Sequence, residues 1–231
     1  MKITGFQKTS LIDYPGHIVS IIFTQGCNFS CPFCHNPELI NNYNSKDEYF
    51  PMEYIYSFLS KRKGLIDGIS ITGGEPSLQE NLYQFIQTVK SMDLKVKLDT
   101  NGSKPAIIKE LITDKLIDYI AMDIKGPLKK YKNIINREVN TDYILESITA
   151  IKKSSLDYEF RTTVVPGIHN TNDFQEIASL LNGSKKYFIQ NFKSGNTLDP
   201  NLMNKNEFPH SKLKEFKNLV QGSIKYVKIR N

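Results

Sequence analysis

The chain has no tryptophan, three cysteines in 231 residues, and no apolar run approaching the roughly 20 residues of a membrane span. The missing run argues against a transmembrane helix. The opening "MKITGFQKTSLIDYPGHIV" has no apolar stretch behind its first lysine, so a secretory signal peptide is not expected. An odd cysteine count does not make a disulfide framework. A reducing, cytoplasmic compartment is expected, where the thiols stay free to act as ligands. The sequons at Asn28, Asn101 and Asn182 are then chance matches. The formal net charge is +6, yet no basic run is interleaved with aromatics, so no nucleic-acid surface is expected. Scattered lysines suit mild attraction of an acidic partner. No linker or low-complexity tract divides the chain, and 39% hydrophobic content at this length can bury a sizeable core.

What is present is an alternation. β-branched or apolar runs at 17–24, 68–72, 95–100, 118–125, 158–165, 186–192 and 224–230 read as strands. Between them, apolar residues recur at helical spacing over 51–63, 78–92, 105–113, 141–154, 171–182 and 211–221. Such alternation implies parallel strands with helices outside. About six units predict an α/β fold, a partial, open (β/α)6 TIM-like barrel of parallel strands with N- and C-terminal extensions. A single domain over 1–231 is expected, with an N-terminal extension (1–16), a barrel core (17–192) and a C-terminal loop, helix and strand (193–231). Functional residues should lie where strands end. Cys27, Gly73, Asp99, Asp123, Arg161 and Gln190 all do.

All three cysteines lie in "CNFSCPFCHN", residues 27–36, directly after the first expected strand. Thiolates select zinc, copper(I) or iron–sulfur clusters. Structural zinc would need a fourth ligand, for which His35 is the neighbour. A redox pair at Cys31 and Cys34 would leave Cys27 unexplained. Inert buried cysteines would not cluster in a Pro- and Asn-rich loop. A 4Fe-4S cluster normally takes four cysteines; with three, one iron is left open to another ligand. Further on, "ITGGEP" (71–76) puts two glycines after a strand and is not a phosphate-binding loop, because no Gly-Lys-Ser/Thr follows. "LDTNG" (98–102) reads either as a turn with a helix cap or as a site. In "MDIK" (122–125), Asp123 and Lys125 point to the same face. Arg161, in "RTTVVPG", is either an anion contact or half of an internal ion pair. His17, His169 and His210 read as surface or structural residues.

The cysteine spacing and its Cys-Pro-Phe-Cys end resemble the cluster motif of the radical S-adenosylmethionine (SAM) superfamily. The resemblance implies that Cys27, Cys31 and Cys34 hold a 4Fe-4S cluster, whose open iron is chelated by SAM. It further implies reductive cleavage of SAM to a 5′-deoxyadenosyl radical that takes a hydrogen atom from a substrate. In that superfamily's pattern Gly73, Gly74 and Glu75 would hold the SAM amino group. "LDTNG" and "MDIK" resemble the glycyl-radical-enzyme activases. By that resemblance Asp99 and Asp123 approach SAM and a monovalent cation, Lys125 approaches the SAM carboxylate, and Arg161 is a SAM contact. Some activases carry a His where this chain has Lys193. The opening, above all Lys8–Gly16, is similar to the activating proteins of anaerobic ribonucleoside-triphosphate reductase. The implied partners are that glycyl radical enzyme and a flavodoxin- or ferredoxin-like electron donor. The competing readings are activation of another glycyl radical enzyme (pyruvate formate-lyase type), chemistry on a small molecule as in the deazapurine carboxylate synthases, and a non-catalytic zinc-binding interaction module.

Overall fold

The computed structural model describes residues 1–40 and 49–230. Its strands are β1 (Ile3–Ser10), β2 (Val19–Thr24), β3 (Gly68–Gly73), β4 (Lys95–Thr100), β5 (Tyr119–Asp123), β6 (Asp157–Val164), β7 (Lys186–Asn191) and β8 (Tyr226–Arg230). They form one sheet in sequence order, with β1 and β8 at its two edges. From β2 to β8 every pairing is parallel. The connecting helices are α1 (Met52–Lys61), α2 (Leu82–Lys90), α3 (Pro105–Thr113), α4 (Tyr131–Ile135), α5 (Thr141–Lys153), α6 (Thr171–Leu180) and α7 (His210–Val220). The six βα units and a final strand make the partial, open barrel that the alternation implied.

Two features differ from the expectation. The N-terminal extension is itself a strand: β1 pairs antiparallel with β2, so the sheet is mixed. Its own pattern, "ITGFQKTS", is too polar at its centre to announce a buried strand, and pairing with β2 is what orders it. The helix expected over 78–92 begins at Leu82. Before it, Pro76–Leu78 forms a short 3-10 turn capped by the Glu75 side chain.

The sheet's two faces have different chemistry, because side chains alternate along a strand. Val96, Leu98, Ile120, Met122, Tyr158 and Phe160 join the main apolar core with helix residues such as Phe85, Ile108, Ile148 and Phe174. The intervening positions Lys97, Asp99, Glu159 and Arg161 carry charge. Strands of a parallel sheet usually read as continuous apolar runs; here the inner face is polar and must satisfy itself. At its N-terminal end the inner face is apolar, where Tyr14 packs with Val19, Tyr119 and Ala121. Deeper inside, Arg230 of β8 meets Glu159 through both terminal nitrogens, at 2.5 and 2.8 Å, and Tyr119 donates its hydroxyl to the same carboxylate. The last strand is therefore tied to the barrel interior by an ion pair whose carboxylate is buried and whose arginine is partly exposed.

Candidate functional site

The cysteine loop leaves β2 through Gly26, whose φ of +97° suits glycine. Residues 37–40 return beside it: the Gly26 and Cys27 amides donate to the carbonyls of Leu39 and Ile40. The Cys34 amide donates to the Cys31 carbonyl at 3.0 Å, closing a turn in which Pro32 presets the backbone. Phe29 and Phe33 are buried and anchor the loop in the core. The spacing thus holds three free thiols on one loop while aromatics pin it from behind. On the far side, the segment after β7 backs the loop: Leu198 and Asp199 amides donate to the carbonyls of Cys34 and Pro32. His35 lies 3.2 Å from the Asn196 carbonyl through Nδ1 and stacks on Phe192. Lys193 faces Glu207 at 4.0 Å, on the outside of that segment.

Burial pushes the thiols up, Cys27 to about 12 and Cys31 to about 11, with Lys125 opposing. Such thiols become thiolates when a metal supplies compensating charge. Among the described residues no group of three or more His, Cys, Asp or Glu side chains converges on a single ion. A cluster makes no such demand, since each thiolate binds a different iron.

Gly73 and Gly74 are required by their neighbours. A Cβ on Gly73 would sit 2.1 Å from the Thr24 nitrogen, and one on Gly74 would sit 2.1 Å from the Gly26 oxygen. The end of β3 therefore lies directly against the start of the cysteine loop, where Glu75 donates its amide to the Gly26 carbonyl at 2.8 Å. The Glu75 side chain is 1% exposed. Its Oε1 accepts from the Ser77 amide, the Ser77 hydroxyl and the Thr100 hydroxyl; its Oε2 accepts from the Asn101 amide at 2.6 Å. Burial raises this carboxyl and those donors pull it back. Asn101 continues the chain of bonds to Asn28, which donates to Ser103. "GGE" and "DTNG" are thereby parts of one hydrogen-bonded unit beside the thiols. The turn-and-cap reading of Asp99–Gly102 is incomplete, because the turn is built around the buried Glu75 carboxylate from the segment after β3.

The polar inner face supplies a charge network. Asp123 and Arg161 are register partners on β5 and β6. Arg161 joins Asp123 through Nε and Asp99 through Nη2, the latter at 3.2 Å. Lys125 meets Asp123 at 2.9 Å, and Lys97 meets the other oxygen of Asp99. Burial alone would raise both carboxyls. Arg161 with Lys97 holds Asp99, and Arg161 with Lys125 holds Asp123, below the ordinary carboxylate range. Arg161 is thus half of an internal ion-pair network, and it also lines the cavity described below. Lys97 was not among the residues selected from sequence. Its signal was a lysine two positions before Asp99 in "KVKLDT", on the same strand face.

The Lys125 backbone is clamped. Its amide donates to the Tyr131 hydroxyl at 3.1 Å, and its carbonyl is 2.8 Å from His169 Nε2. The Val165 amide donates to His169 Nδ1, so Nε2 carries the proton. His169 is 3% exposed and its ring meets Phe33 edge-on, so it is an interior residue. His17 sits between Asp67 and Lys95 at the opposite end of the sheet, and His210 starts α7.

All ten residues selected from the sequence line one cavity of about 230 Å³. Cys27, Cys31 and Cys34 border it on one side and Gly73, Gly74 and Glu75 on another; Asp99, Asp123, Lys125 and Arg161 complete it. Asn101 and Thr163 also face it. No helix among the described residues is long and apolar enough to cross a membrane.

The chain is 32% identical over 234 residues to a Methanocaldococcus jannaschii protein named "Putative glycyl-radical enzyme activating enzyme", covering 97% of this chain and 92% of that protein. It is 30% identical over 129 residues to the pyruvate formate-lyase-activating enzyme of Clostridium pasteurianum, covering 54% of this chain and 52% of the relative. Among solved structures, Streptococcus suis SuiB bound to S-adenosylmethionine superposes with a TM-score of 0.68 at 14% identity. That superposition covers 90% of this chain and 48% of SuiB, so this chain spans about half of SuiB's length. Residues 21–181 match the Radical SAM superfamily. With that match over most of its length, and a full-length relative at 32% identity, the chain belongs to the radical SAM superfamily.

Proposed function

We propose that this protein is a radical SAM activase that installs a glycyl radical on a partner enzyme. The observation that carries the reading is the single cavity where three free thiols, the Gly73–Glu75 turn and a positively charged network meet. In this reading Cys27, Cys31 and Cys34 hold a 4Fe-4S cluster. When bound, cluster and SAM supply the electron transfer and the radical that abstracts hydrogen.

The chain's own residues bind and orient. Gly73, Gly74 and Glu75 would hold the SAM amino group; Glu75 Oε2 has one donor on it and retains acceptor capacity for an ammonium. Lys125 and Arg161 would face the SAM carboxylate, both held by Asp123. His169 and Tyr131 fix the Lys125 backbone, which keeps the ammonium aimed into the cavity. An open barrel leaves room for a partner's loop, whereas a closed one fills its centre with side chains. Glycine suits the target because no side chain blocks its Cα. A flavodoxin- or ferredoxin-like donor would supply the electron, in a reducing, cytoplasmic setting that keeps the thiols free.

The named relatives support glycyl-radical activation broadly, and one names pyruvate formate-lyase. Anaerobic ribonucleoside-triphosphate reductase is the finer proposal and rests on residues 8–16. These lie where β1 meets the start of β2, with Ser10 beside Val19, while Ile3 lies beside Thr24 at the cysteine end. The discriminating run therefore lies away from the cavity, with Leu11 and Ile12 exposed. The test is anaerobic incubation of the iron-loaded protein with SAM, reductant and either enzyme, followed by electron paramagnetic resonance. A glycyl signal on the reductase supports the finer reading. A signal only on the pyruvate formate-lyase type moves the assignment there. No signal on either, with iron and SAM cleavage intact, overturns activation and favours a small-molecule substrate.

A further inference from the structure

A monovalent cation at Asp99 and Asp123, implied by the resemblance to activases, does not fit this chain. All four carboxylate oxygens already face protein cations. Asp99 has Lys97 on Oδ1 and Arg161 on Oδ2; Asp123 has Arg161 on Oδ1 and Lys125 on Oδ2. We infer that Lys97 is a built-in replacement for the alkali cation, so that this protein binds SAM without one.

The charge count carries the argument. The network has three cations, Lys97, Lys125 and Arg161, and two anions, Asp99 and Asp123. It is one charge positive, which a single bound carboxylate neutralises. Without Lys97, two cations would face two carboxylates plus the ligand's carboxylate, and one more positive charge would be needed. With Lys97, an added alkali ion would leave the site positive at a partly enclosed cavity wall, where like charges repel more than they do in water. Lys97 is well placed for the task. It lies two residues before Asp99 on β4, hence on the same inner face, and its side chain is 4% exposed. A lysine buried this deeply needs a partner, and the partner is the carboxylate that an alkali ion would otherwise occupy. Lys97 does not line the cavity. It acts through Asp99, as a positioning residue.

The inference rests on the SAM-binding reading, and two measurements separate their failures. The first is SAM affinity of the iron-loaded protein in potassium, sodium or tetramethylammonium chloride at equal ionic strength. The dissociation constant should agree across the three salts within about twofold, well under the tenfold that 1.4 kcal/mol represents. Tightening of about tenfold or more by potassium or sodium overturns the inference. The second is sodium NMR relaxation on the protein without SAM, with potassium as competitor. No saturable, potassium-competed sodium site is expected; finding one that Asp99→Asn removes overturns the inference even if SAM does not bind at all. Absence of SAM binding in every salt would sink the functional reading instead. Lys97→Met should acquire the alkali-ion dependence that the native protein lacks. A folded Lys97→Met protein that binds SAM equally in all three salts contradicts the charge count. Should that variant not fold, the two measurements on the native chain decide.

Discussion

Replacing Arg161 by methionine tests the charge network most directly. The guanidinium bridges two carboxylates from different strands, and its side chain is 17% exposed. Removing one partner of a buried pair costs about 3–5 kcal/mol, because a charge is left uncompensated. Each carboxylate keeps one ammonium, Lys97 on Asp99 and Lys125 on Asp123, so the lower end, about 3 kcal/mol, is expected. Both carboxyls are held below their ordinary range when folded. Their contribution is therefore full above the unfolded value of about 3.9 and is lost as pH falls through the folded values. The loss in Arg161→Met should thus be complete at neutral pH and shrink as the pH falls below about 4. Urea unfolding of the iron-free protein, followed by circular dichroism across this pH range, gives both numbers. A loss below about 1 kcal/mol, the level of an exposed pair, would refute the reasoning. So would a loss that does not vary with pH.

Gly74→Ala should lose about 3–5 kcal/mol: its Cβ meets the Gly26 oxygen at 2.1 Å, and two amide hydrogen bonds, from Gly74 to Thr24 at the end of β2 and from Glu75 to Gly26 of the cysteine loop, are strained. Denaturant unfolding checks it, and a loss under about 1 kcal/mol would mean the two backbones can separate freely. Cys31→Ala should fail to retain iron and to cleave SAM; a variant that keeps both would remove Cys31 from the ligand set. Lys125→Ala should keep its iron and bind SAM about ten- to a hundredfold more weakly, the worth of a charge-assisted contact. Unchanged affinity would show that Lys125 serves only Asp123.

The alternation of strands and helices was legible because apolar periodicity is local and each element carries its own pattern. The cysteine spacing was legible for the same reason, since three ligands on one loop need no distant partner. The strand character of residues 3–10 was not legible, because β2 supplies the hydrogen bonds that order it. Nor was the interior place of His169, whose partners are Lys125, Phe33 and Val165.

The sequence by itself determined the element order, the three thiols and the strand ends on which the cavity is built. Only the tertiary structure decided what those ends do to one another. It set Gly73 against the end of β2 and Gly74 against the cysteine-loop backbone, and it saturated Glu75 Oε1 with donors from Ser77 and Thr100. It also brought Lys97 into the network that "LDTNG" and "MDIK" only began. The glycines are fixed by sterics, since no Cβ fits there; the other two share an electrostatic reason. Burying a polar inner face obliges each charge and each lone pair to find a partner; some partners are two residues away, as Lys97 is from Asp99, and others, Arg161, Thr100 and Asn101, come from other strands or their ends.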